Sequence, residues 1–120
     1  MSSDSIGEEL AAWGKVALLE VRGRRSGRTL RTAVGFVEEP DGSILVAAGE
    51  PDADWALNLI EHGTASVTIG ERTATYAAEE LGGAERHAAV MNLILRYGTP
   101  AEGLGRGPVF RLRAAGSVPE

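Results

Sequence analysis

Apolar and polar residues alternate, or recur at helical spacing, along most of this 120-residue chain, and the pattern divides it into short elements. Ser2 to Gly14 carries Ile6, Leu10 and Trp13 at helical spacing, with Ser5 as a candidate cap, which predicts an amphipathic helix. Val16 to Val21 is a compact apolar run, and Thr29 to Glu38 alternates, with Leu30, Thr32, Val34 and Phe36 on one face. The two predict a hairpin. Glu39-Pro40-Asp41-Gly42 has turn composition, and Ile44 to Ala48 is a continuous apolar strand of the kind buried on both faces. Three strands in succession predict a meander.

A helix follows from about Ala53 to His62, with Asp52 or Asp54 as its cap and Trp55, Leu59 and Ile60 as its inward face. Gly63 ends it. Ala65 to Ile69 and Arg72 to Glu80 read as a second hairpin around Gly70-Glu71, with glycine first as a type II′ turn requires. Ala84 to Tyr97 reads as a longer helix with Val90, Met91 and Ile94 on one side, stopped by Gly98 and Pro100. Gly103 to Gly107 is loop, Val109 to Arg113 the closing strand, and 114–120 a frayed tail. About six short antiparallel strands with interspersed helices predict a mainly β, α+β fold closed into a small barrel, because closure removes exposed edges. The length suits one domain over 1–120.

Charge adds a candidate site. Net charge is −5, yet Arg22, Arg24, Arg25, Arg28 and Arg31 fall between Glu20 and Glu38 with no acid among them. At the centre stands Gly23-Arg24-Arg25-Ser26-Gly27-Arg28. Glycines let backbone N–H groups approach a ligand, guanidinium forks match phosphate oxygens, and a hydroxyl donates as well. The island therefore predicts an anion site for a phosphate or carboxylate. Its competitors are a solvated hairpin whose arginines pair with surface carboxylates, and a nucleic-acid patch. A pI near 5.1, and no aromatic residue between Val21 and Gly35, argue against nucleic acid.

Other chemistries are excluded or weak. There is no cysteine, and His62 and His87 lack metal-ligand spacing, so no metal site is expected. The start has no signal-peptide pattern and no stretch approaches eighteen apolar residues, so a cytoplasmic protein with no membrane span is the expectation by elimination. Eleven of the twelve basic residues are arginine, a bias suited to a GC-rich bacterial genome.

The segment Leu19-Glu20-Val21-Arg22-Gly23-Arg24-Arg25-Ser26-Gly27-Arg28-Thr29-Leu30-Arg31 resembles the hallmark hairpin of the deazaflavin-dependent nitroreductase family, small split-β-barrel proteins related to the FMN-binding pyridoxamine-oxidase fold. Leu45-Val46-Ala47-Ala48-Gly49, then Trp55-Ala56-Leu57-Asn58-Leu59, is similar to that family's third strand and its Trp-x-x-Asn-Leu helix. The resemblance implies the deazaflavin coenzyme F420, an anionic cofactor with a phosphate and a glutamyl tail. It implies that Arg24, Arg25, Ser26, Gly27 and Arg28 hold the phosphate with Arg31 close by, and that Ala47 and Ala48 lie beside the ring. The cofactor carries the hydride, so no catalytic acid–base residue is named. Trp13 and Tyr97 are candidates for the substrate pocket, each with a packing role as the alternative. The implied activity is reduction of a small quinone, enone or nitro acceptor. An FMN-binding reductase and a non-catalytic carrier or sensor of a phosphorylated cofactor are the other readings. A homodimer is possible through the Leu30/Val34/Phe36 stripe, which serves equally as core.

Overall fold

In a strand, successive side chains take opposite faces, and the first strand shows what that alternation builds. A computed structural model of the chain describes residues 16–24, 27–97 and 106–114, and Tyr97 only by its place in a helix. The expected helix at Ser2–Gly14 with Trp13, the pair Arg25-Ser26, Gly98, Pro100, residues 103–105 of the expected loop and 115–120 of the expected tail lie outside these residues, while Ala114 belongs to the closing strand.

Seven strands form one antiparallel sheet: β1 Ala17–Arg22, β2 Thr29–Val34, β3 Val37–Glu38, β4 Ile44–Ala47, β5 Thr64–Ile69, β6 Arg72–Glu80 and β7 Val109–Ala114. Helix α1, Asp54–His62, follows β4, and α2, Gly83–Tyr97, follows β6. The order across the sheet is β2-β1-β5-β6-β7-β4-β3. The sheet cannot be flat. Six spacings of about 4.8 Å would part its edges by about 29 Å. Yet β2 and β3, the two edges, are joined only through Gly35 and Phe36, a link of about 10 Å at most. The sheet must curl until its edges approach, which makes the split barrel.

This corrects the expected meander. The run Thr29–Glu38 is two strands, because it leaves β1 at Val34 and pairs anew with β4 from Val37. Local alternation continues unbroken through the crossing, so periodicity alone does not reveal it. The strand count rises from about six to seven for the same reason.

Ala17, Leu19 and Val21 of β1, Ile44 and Val46 of β4, Val67 of β5, and Phe110 and Leu112 of β7 fill the barrel, joined by Ala56 and Leu59 from α1. A second core lies outside the barrel wall, where Leu45, Ala47 and Val109 meet Ala89 and Leu93 of α2. β4 is therefore buried on both faces, as its unbroken apolar run predicts. Phe36 is buried and Val34 packs on the same core, so most of the expected dimer stripe is interior, while Leu30 stays exposed.

The helices show where sequence spacing misleads. Ile60 and Met91, expected inward, are 46% and 44% exposed, and Leu93 is the fully buried residue of α2. Several apolar residues crowd each helix, and only the wall beneath decides which stripe is buried. α1 begins at Ala53 without a side-chain cap, so neither Asp52 nor Asp54 fills that role, while Gly63, at φ 86°, closes it by donating its N–H to the Leu59 carbonyl.

On the wall under α2 one charged network holds β7, α2 and the β3–β4 turn together. Arg111 donates to both Glu39 oxygens, at 2.7 and 3.2 Å, and to Glu85 at 3.0 Å. Buried Ser43 places its hydroxyl 2.7 Å from Glu39 and 2.6 Å from Asp41, and donates its amide to Asp41 at 2.9 Å. The Arg111 bond, then Ser43, holds Glu39 below the usual carboxylate range against the opposing effect of burial. Asp41 is lowered by the Ser43 hydroxyl and amide. A carboxylate depressed in the fold stabilises it above its unfolded pKa, about 4, and that stability is lost as pH falls through the folded value. Urea midpoints measured from pH 7 downward should therefore hold steady to about pH 5 and drop below about pH 4. Glu39→Gln should lower the neutral plateau and flatten that drop.

Candidate functional site

The arginine hairpin closes in two steps. Gly23 donates to the Arg28 carbonyl at 2.7 Å, and Gly27, at φ 75°, donates to the Gly23 carbonyl at 3.1 Å. Only glycine takes that φ without strain, so Gly27 is fixed by the turn itself.

Arg24 leaves this loop and lies against α1. Its backbone N–H donates to Asn58 Oδ1 at 3.0 Å, and its Nη1 to the same oxygen at 2.6 Å. Its Nη2 stands 3.5 Å from Asp54 Oδ1. Asn58 is 2% exposed. Buried amides hold their partners strongly, because the alternative is an unsatisfied polar group away from water. Asp54 and Asn58 sit four residues apart and so share one face of the helix, which is why a single arginine reaches both. The helix thereby orients the loop and one guanidinium at a fixed place.

Beside this clamp is a cleft of about 290 Å³ lined by Val21, Leu30, Arg31, Thr32, Asp54 and Trp55. Val21 and Trp55 supply an apolar wall, and Trp55 is held by a tilted contact with Phe110, ring centres 5.9 Å apart. Leu30 is exposed here because it faces inward at an open sheet edge. An apolar aromatic wall with a guanidinium at its rim suits a flat conjugated ring bearing an anionic substituent.

The structure brings together only part of the predicted set. Arg24 and Gly27 stand at the loop and Arg28 is exposed next to it, while Arg25 and Ser26 lie outside the described residues. Arg31 borders the cleft, but its Nε is 2.8 Å from Glu20 on the outer face of the sheet. Ala47 and Ala48 are 5% and 1% exposed, one beneath α2 and the other inside the barrel, so neither offers side-chain surface to a ring. Sequence reasoning offered Asp54, with Asp52 as the alternative, as a cap and did not place Asn58 at the site. The four-residue spacing of two polar residues among the apolar residues of the helix's first five positions is the signal that marks them. Among the described residues, no cluster of potential ligands for a metal ion forms.

A family model for F420H(2)-dependent quinone reductases matches residues 1–100. The chain belongs to this family. The solved structure of an F420-H2-dependent reductase, FDR-A, superposes on the reductase with a TM-score of 0.71 at 27% identity, over 82% of this chain and 94% of that one. A chain described as a domain-swapped dimer gives 0.70 at 24% identity, over 92% and 96%. The haem storage protein HutZ from Vibrio cholerae gives 0.70 at 19% identity, over 96% and 92%, which shows the fold alone. No curated protein matches the sequence. The reductase is thus an F420-dependent oxidoreductase with the split-barrel fold, and F420 is its cofactor. Among the described residues, no helix is long and apolar enough to cross a membrane.

Proposed function

We propose that the cleft between the β1–β2 hairpin and the first turn of α1 holds F420. Val21, Leu30 and Trp55 would flank its ring system, and Arg24, with Arg25, Ser26, Gly27 and Arg28 of the loop, would hold its phosphate. Ala47 and Ala48 contribute through their main chain, since their side chains belong to the two cores. Reduced F420 supplies the hydride. The chain's own residues bind the anion, orient the ring against the barrel wall and keep water from one of its faces. The acceptor is a quinone-class molecule seated over the opposite, open side, with Trp13 and Tyr97 as its candidate contacts. What supports this reading most is the double hold of Asn58 on Arg24, which sets one guanidinium beside an apolar cleft before any ligand arrives.

Arg24→Ala tests it, because the backbone bond to Asn58 survives while the guanidinium goes. Loss of one charged hydrogen-bonding group, at about 1.5–3 kcal/mol, corresponds to about 10- to 150-fold weaker F420 binding with the fold retained. Tryptophan fluorescence titration reads the affinity, and F420H2 oxidation with menadione reads turnover. Wild-type affinity in the folded variant would move the phosphate elsewhere.

A further inference from the structure

The outer face of the sheet carries a second concavity that the cofactor cleft does not use. Leu19 and Val21 enter the barrel, so Glu20 and Arg22 stand on the opposite side of β1. Strand register carries that side across the wall: Arg22 faces Thr29, Glu20 faces Ser66, and Ser66 faces Thr75. Helix α2 covers the wall around β4 and β7 instead, and the buried residues of α1 belong to the barrel interior. What remains is a bowl of about 330 Å³ at the end of α1, where His62 also lines it.

Charge decides what the bowl can take. Glu20 is the acid in its lining, and it is already paired with Arg31 at 2.8 Å. Arg22 reaches back so that its guanidinium lies against Gly27, and it has no carboxylate partner among the described residues. Around these sit the hydroxyls of Thr29, Thr64, Ser66 and Thr75. A guanidinium with no counter-ion among the described residues, an imidazole and four hydroxyls form a donor-rich set that suits an anion with several oxygens.

We propose that this bowl is a second anion site, distinct from the cofactor cleft, which binds a phosphate- or carboxylate-bearing small molecule through Arg22 and the strand hydroxyls. The anion comes from solution and is not part of F420. Amide and indole shifts in ¹⁵N-labelled full-length protein test it, with inorganic phosphate, glutarate and F420 as separate probes and chloride at matched ionic strength as the control. Phosphate or glutarate should move the Thr64, Ser66 and Thr75 amides saturably, and Arg22→Gln should weaken that binding about tenfold. His62→Gln, at an exposed helix end, should weaken it less and guards against a folding artefact at Arg22.

If F420 moves the same amides and Arg22→Gln abolishes the effect, the bowl is part of the cofactor's own binding and the proposal of a separate site fails. If phosphate does so and F420 does not, it serves a solution anion. Shifts that fail to saturate, that chloride reproduces, or that Arg22→Gln leaves unchanged would overturn the proposal. The two sites fail separately: F420 moving the Trp55 indole while the bowl stays silent to phosphate, glutarate and F420 alike removes only this one.

Discussion

Gly107→Ala is expected to destabilise the protein by about 3 kcal/mol, with a fall in Tm of about 10 °C or more. A methyl group on Gly107 would stand 2.7 Å from the Ala48 carbonyl oxygen and closer still to that of Glu50. Both obstacles are backbone, so no rotamer change relieves them. The segment is also tied on either side. Arg86 of α2 donates to the Gly107 carbonyl at 2.7 Å, and Ala48 donates its N–H to the Pro108 carbonyl at 2.9 Å. Moving Gly107 away would pull β7 from β4 and loosen α2 together. Gly49→Ala and Gly82→Ala are the controls, since an added methyl meets nothing within 4 Å at either place. Each should stay within about 1 kcal/mol of the parent protein. Urea unfolding of the three variants gives the comparison, and equal stability of Gly107→Ala would mean that the loop does not pack on residues 48–50.

Asn58→Ala should be the next most damaging change, and unlike Gly107→Ala it joins stability to ligand binding. Removing the amide leaves the Arg24 N–H and one guanidinium N–H without their acceptor at a half-buried place, which costs about 1–3 kcal/mol. It also frees the hairpin from α1, so F420 affinity should fall with stability, by about tenfold. Arg24→Ala separates the two effects, because it keeps the backbone tether. The expected order is a larger stability loss for Asn58→Ala and a larger affinity loss for Arg24→Ala. Urea midpoints set against F420 titrations of both variants give the answer. The reverse order would show that Asn58 acts on the ligand directly and not through the loop.

The arginine island and the Trp-x-x-Asn-Leu helix were legible as sequence because both are local. Their residues are neighbours in the chain, and the chemistry of a glycine-flanked guanidinium cluster does not depend on distant contacts. The partners of those arginines were not legible. Arg24 meets Asn58 across 34 residues of sequence, and Arg111 meets Glu39 across 72. The second bowl draws on β1, β2, β5, β6 and the end of α1, so no single stretch of sequence announces it.

Local patterns in the sequence by themselves determined most of the strands, the two described helices and the turns at Gly27, Gly63 and Gly70, because side-chain alternation and left-handed φ act over a few residues. Tertiary structure alone decided that Thr29–Glu38 spans both edges of one curled sheet, which stripe of α1 and α2 is buried, and which face each arginine of the hairpin takes. Those outcomes depend on which surfaces meet, and burial of apolar area is a property of the closed barrel that no isolated segment possesses.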